Sequence, residues 1–101
     1  MDLRKQFHED MVNVYIQAKK EAKYNATRFL QMVSEKGGYE AAKILISKDA
    51  PSDGFTKLYE AGKLNLSVEA LILREKYVSL FTDDERKVCS ERLETYRYKP
   101  K

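Results

Sequence analysis

Hydrophobic residues along this chain recur at steps of three and four positions, the pattern of amphipathic helices. The pattern predicts one long helix over residues 2–23, whose apolar stripe consists of Leu3, Phe7, Met11, Val14, Tyr15, Ala18 and Ala22. Val12 and Ile16 fall outside this stripe, on a second face with Lys19 and Lys23. Either the helix is buried on two sides, or the second face binds a protein partner or another copy of the chain.

Helix start and stop signals divide the rest of the chain into short elements. Polar residues suited to cap a helix N-terminus stand at Asn25, at Ser52 or Asp53, at Ser67 and at Thr82. Glycines predict helix ends at Gly37-Gly38 and at Gly62. A third helix is predicted over 39–48, and the hydrophobic pattern slips after Leu73, which predicts a break near Arg74. Thr82 and Glu85 have the spacing of a capping box, and the helix that they start should run to about Tyr96.

These elements predict an all-α fold. We expect a compact single-domain bundle of six or seven helices, with one long N-terminal helix and several short ones. The length of 101 residues fits one domain with one hydrophobic core and no need for disulfides. The domain covers residues 1–101, of which 96–101 are expected to form a frayed basic tail.

Several segments carry a resemblance to a known family. They are residues 24–32, the pair Gly37-Gly38, and residues 53–58, 66–73 and 80–82. Over most of its length the chain resembles a small bacterial all-helical family without an established activity. Members of that family occur free-standing or appended to larger proteins, some of them linked to DNA-processing enzymes. The resemblance implies a bacterial helical module and supplies no catalytic residues.

Cysteine and histidine usage argues against metal and thiol chemistry. Cys89 is the only cysteine and His8 the only histidine, so a zinc site and an internal disulfide are not expected. We expect Cys89 on the inner edge of the last helix and His8 at the surface or its boundary. Gly37-Gly38 lacks the spacing of phosphate-binding loops, and no cofactor is expected. Neither a signal sequence nor an apolar run of about 20 residues is present, which predicts a cytoplasmic protein without a membrane span.

One cluster could bind an anion. Tyr24, Asn25 and Arg28 stand together at the start of the second predicted helix, where an arginine, an amide and free backbone N–H groups could hold a phosphate or a carboxylate. The alternative is structural: Asn25 caps the helix, and Arg28 pairs with an acidic residue elsewhere in the fold.

The positive charge gives limited support to nucleic-acid binding. The formal net charge is +3, and two basic regions contain interleaved tyrosines. The first consists of Lys19, Lys20, Lys23, Tyr24 and Arg28; the second consists of Arg92, Tyr96, Arg97, Tyr98, Lys99 and Lys101. Glutamates such as Glu21 and Glu91 dilute both regions, and no segment has the composition of a recognition helix.

We therefore expect a non-enzymatic accessory or protein-interaction module, with an unknown protein or a second copy as its partner. The candidate partner surface is Val12, Ile16, Lys19 and Lys23. The alternative is a nucleic-acid-binding protein, with anion contacts at Lys20, Tyr24, Asn25, Arg28, Arg97 and Lys99. A third hypothesis, an enzyme, would gain support from a pocket that collects Tyr24, Arg28 and a buried acid.

Overall fold

The computed structural model describes residues 2–96, and this part of the chain is helical without any β-strand. It contains α1 (Leu3–Glu21), α2 (Thr27–Lys36), α3 (Gly38–Ser47), α4 (Asp53–Glu60), α5 (Val68–Ile72) and α6 (Asp83–Thr95). Two 3₁₀ segments, Leu64–Leu66 and Glu75–Leu80, flank α5. The predicted all-α fold with one long N-terminal helix is confirmed, as is the break near Arg74.

Local capping chemistry sets three of the helix starts as predicted. The hydroxyls of Ser52 and Ser67 each accept a hydrogen bond from the backbone N–H three residues later, at 3.2 and 3.1 Å. Thr82 and Glu85 form the complete capping box, since each side chain accepts from the other residue's backbone N–H, at 3.1 and 2.8 Å. These bonds satisfy amides that a helix N-terminus leaves without partners.

The prediction that Asn25 caps α2 is wrong. The helix begins at Thr27, and Ala26, which occupies the N-cap position, makes no side-chain capping bond. The Asn25 amide oxygen instead accepts a hydrogen bond of 2.7 Å from the hydroxyl of Tyr15 on α1. Asn25 therefore ties the α1–α2 linker back to α1, a role that depends on a contact across ten residues of sequence.

The two adjacent glycines between α2 and α3 have different roles. Gly37 ends α2 with φ +86° and ψ 153°, a conformation that residues with side chains rarely adopt. Gly38 begins α3 directly against α1, and its N–H donates a hydrogen bond of 2.9 Å to Nδ1 of His8. A Cβ at Gly38 would lie 2.6 Å from the Cα of His8. The close crossing of α1 and α3 therefore requires glycine at Gly38.

The hydrophobic core consists of two adjoining clusters, and α1 contributes to both. Phe7 and Met11 are fully buried in the larger cluster, with residues of α2, α3, α5, α6 and the second 3₁₀ segment. Ala18 belongs to the smaller cluster, which also contains Phe55, Leu58, Leu64 and Leu93. Tyr96 packs on this cluster with its ring 5.0 Å from that of Phe55. The rest of the predicted tail, residues 97–101, lies outside the described residues.

The close crossing at Gly38 can be tested by adding a single methyl group. We expect Gly38→Ala to lower the free energy of unfolding by about 1–3 kcal/mol, because the new Cβ meets helix backbone that cannot move aside. Gly54→Ala is the control: its Cβ meets only atoms at 3.7 Å, and alanine should raise helix stability by up to about 1 kcal/mol. Urea denaturation measures both effects. Equal unfolding free energies for the two variants would contradict the close approach of α3 to α1 at Gly38.

Candidate functional site

An open cavity of about 420 Å³ lies where α1, α2 and α4 meet the end of α3 and the start of α5. Its wall is largely apolar, and the larger side chains on it are Val14, Phe29, Met32, Leu45, Phe55 and Leu58. Pockets of this size with apolar walls and a few polar groups are typical binding sites in proteins. The cavity is therefore the first candidate for the functional site.

The cavity collects two of the three residues predicted as an anion site. Tyr24 and Arg28 line it, whereas Asn25 is engaged by Tyr15 and does not. The Arg28 side chain is exposed and forms no ion pair with any residue between 2 and 96. The structural alternative for Arg28, pairing with an acid elsewhere in the fold, is thus absent from the described part of the chain.

A buried ion pair supports the cavity wall. An Nη1 atom of Arg92 lies 3.1 Å from Oε2 of Glu69, and the two residues are only 9% and 3% exposed. The same Nη1 donates to the carbonyl of Leu45 at 3.3 Å, and Nη2 donates to the carbonyl of Lys48. Glu69, Leu45 and Lys48 all line the cavity. Arg92 thus holds α5 and the C-terminal end of α3 in place from behind the wall.

The placement of Arg92 in a surface basic region is therefore wrong. A side chain at 9% exposure cannot contribute to a phosphate-binding surface. One signal in the sequence pointed inward: Arg92 follows Cys89 by three positions and precedes Leu93, so it lies near the buried stripe of α6. Glu69 stands in the first turn of α5, where acids favour the helix dipole, and its pairing with Arg92 could not be read from either segment.

Burial changes the titration of Glu69. Removal from water raises the pKa of its carboxyl above the usual 4.5, against the opposing effects of a backbone hydrogen bond and the Arg92 guanidinium. Glu69 lines the cavity, and one oxygen of its carboxylate is bound to the guanidinium of Arg92. A general acid or base has to reach its substrate directly, and this contact occupies that oxygen.

Burial also limits the reactivity of the one cysteine, Cys89. Burial raises the pKa of the Cys89 thiol to about 12, which leaves it protonated near neutral pH.

Between residues 2 and 96, no group of three or more His, Cys, Asp or Glu side chains is arranged to hold a metal ion. No helix in the same range combines the length and hydrophobicity that a membrane span requires.

The candidate partner surface on α1 is only partly exposed. Ile16 is 46% exposed, and Lys19 on the same helix is exposed as well; Lys23 is also exposed but lies beyond the end of α1, with φ 54°. Val12, however, is half-buried and packs against the larger core cluster, so burial of α1 on a second side accounts for it. Lys20 is exposed next to this face, and the predicted anion contacts Arg97 and Lys99 lie outside the described residues.

Comparison with known proteins gives no relative for this arrangement. The chain matches no protein-family model, no curated protein and no solved structure. The family resemblance described above stays a prediction, and the proposals below are supported by the geometry and the charges of the described residues alone.

The raised pKa of Glu69 predicts a pH dependence of stability. The folded state holds this proton more tightly than the unfolded state, so stability should fall as pH rises from about 4.5 through the folded-state pKa. Glu69→Gln cannot titrate, so its free energy of unfolding should decline less than that of the wild type over this range. Urea denaturation at a series of pH values measures the difference.

The matched control is Glu94→Gln, because Glu94 lies on the exposed side of α6. Its pH profile should follow that of the wild type. If Glu69→Gln also followed the wild-type profile, the proposed titration of Glu69 in the cavity wall would be contradicted.

Proposed function

We propose that this chain is a non-enzymatic interaction module that receives an apolar side chain of a protein partner in the cavity. The observation that carries the proposal is the cavity itself: about 420 Å³, apolar, and open between helices that the core holds in place. Binding energy at protein interfaces is concentrated in a few large side chains that fill such pockets. The free buried thiol of Cys89 supports a reducing compartment, such as the cytoplasm, as the place of action.

An enzymatic role has more support than the sequence alone suggested, because the cavity does collect Tyr24, Arg28 and the buried Glu69. We favour binding over catalysis for two reasons. One carboxylate oxygen of Glu69 is bound to Arg92, and among residues 2–96 no hydrogen bond joins Tyr24 or Arg28 to an acid or base that could activate it. Activation of a nucleophile requires such a pair.

Filling the cavity should abolish binding of an apolar group. Gly54 lines the cavity, and a Cβ there would lie 3.7 Å from the ring of Tyr24. We expect indole, the side chain of tryptophan, to shift the amide NMR signals of cavity residues in the wild type. Gly54→Leu should weaken this binding by at least about tenfold, since its side chain occupies the same volume.

Two controls accompany this titration. Gly54→Ala adds only a Cβ at ordinary contact distance and should retain indole binding. Ile16→Glu alters the exposed face of α1 and should also retain it, while disrupting any partner contact on that face. The absence of indole-induced shifts at cavity residues in the wild type, or shifts of equal size in Gly54→Leu, would contradict the proposal.

Nucleic-acid binding is the second candidate, and the unpaired basic surface favours it. Lys19, Lys20, Lys23 and Arg28 are exposed, and none forms an ion pair within residues 2–96. Four such cations close together in sequence could neutralise phosphates. No helix within residues 2–96 has the composition of a recognition helix, so any binding should be independent of nucleic-acid sequence.

The second candidate predicts steep salt dependence. If it holds, Lys19→Glu combined with Lys23→Glu should weaken binding to labelled DNA and RNA for all sequences and reduce the salt slope by about 2. Fluorescence anisotropy from low to physiological salt measures this. Lys36→Glu with Lys87→Glu is the matched control, because both lysines are exposed and the net charge changes equally. No binding at low salt would eliminate the candidate.

A further inference from the structure

The charges on the cavity wall are not balanced. Arg28 and Lys48 are exposed wall residues, and neither forms an ion pair with another described residue. Two acids also line the wall, but Glu69 is neutralised by Arg92 from behind. Asp53 is the other acid on the wall, and it forms no ion pair within residues 2–96. The wall therefore carries an excess of positive charge.

The surface beside the cavity extends this excess. Lys19, Lys20 and Lys23 are exposed on the last turns of α1 and the linker that follows, just before the cavity residue Tyr24. The acid among them, Glu21, lies 3.8 Å from Lys63 and is thus directed to another cation. A partner approaching the cavity from this side meets a positive field over a largely apolar opening.

We infer that the partner segment is an acidic peptide, with one large apolar side chain in the cavity and carboxylates against Arg28 and Lys48. The inference rests on the proposed function, since it specifies which chemistry that same cavity accepts. Carboxylates bound by guanidinium and ammonium groups form charge-assisted hydrogen bonds. Such charges at the edge of an apolar site accelerate association and exclude partners of the wrong sign.

Selection from a phage-displayed library of random short peptides tests this inference without assuming a partner. The immobilised wild-type protein should enrich peptides that combine a large apolar residue with several aspartates or glutamates. Gly54→Leu, with its cavity filled, should not enrich them. Enriched peptides that share apolar residues but no acids would overturn the inference while leaving the proposed function intact. No enrichment over Gly54→Leu would overturn both.

Charge reversal then tests the two cations directly. Arg28→Glu with Lys48→Glu should weaken binding of a labelled enriched peptide by at least about tenfold, as measured by fluorescence anisotropy. Both side chains are exposed, and a glutamate in the first turn of α2 suits the helix dipole, so the variant should fold. Lys36→Glu with Lys87→Glu is the control of equal charge change, and it should bind the peptide normally.

Two results of binding measurements with the labelled enriched peptide would overturn the inference. One is equal weakening in both double variants, which would show only a general effect of net charge. The other is displacement of the enriched peptide from the wild type by a duplex oligonucleotide at physiological salt, with affinity higher than that of the peptide itself. That outcome would indicate that the basic surface binds nucleic acid rather than an acidic peptide.

Discussion

The buried guanidinium of Arg92 is the contact on which the second half of the fold depends. It joins α6 to Glu69 of α5 and to the carbonyls of Leu45 and Lys48 at the end of α3. A helix C-terminus leaves its last carbonyls without partners, and a buried carboxylate is costly unless it is paired. One planar side chain meets both needs, since its donors point in fixed directions. Three elements distant in sequence are thereby held together.

The cavity follows from this clamp and from a second tie on the opposite side. The partners of Arg92 form one part of its wall, and the hydrogen bond from Tyr15 to Asn25 holds the α1–α2 linker that presents Tyr24 to the other. An apolar wall fixed by such polar contacts is preorganised, so little free energy is lost in ordering the protein when a ligand group enters it. In the proposed complex, the unpaired cations at the edge of the cavity favour partner segments in which carboxylates flank the apolar side chain.

The fold was predictable where the information is local. Ser67 and the Thr82–Glu85 box specify helix starts within four residues of sequence, and the structure contains both. The predictions for Asn25 and Arg92 are wrong because the partner of Asn25 lies 10 residues away and those of Arg92 lie 23 to 47 residues away. Of the candidate site, Tyr24 and Arg28 were found from chemistry alone. The cavity that makes them a site depends on how five helices pack, which no single segment encodes.

A double-mutant cycle between Arg92 and Glu69 tests the clamp most directly. Arg92→Met alone leaves a buried carboxylate and two carbonyls unpaired, and should cost about 3–5 kcal/mol of unfolding free energy. Adding Glu69→Met removes the orphaned charge, so the double variant should be more stable than Arg92→Met, though less stable than the wild type because the α3 carbonyls stay unpaired. If the losses of unfolding free energy in Arg92→Met and in Glu69→Met, each measured alone, simply added up in the double variant, the claim that this pair organises the structure around the cavity would be contradicted.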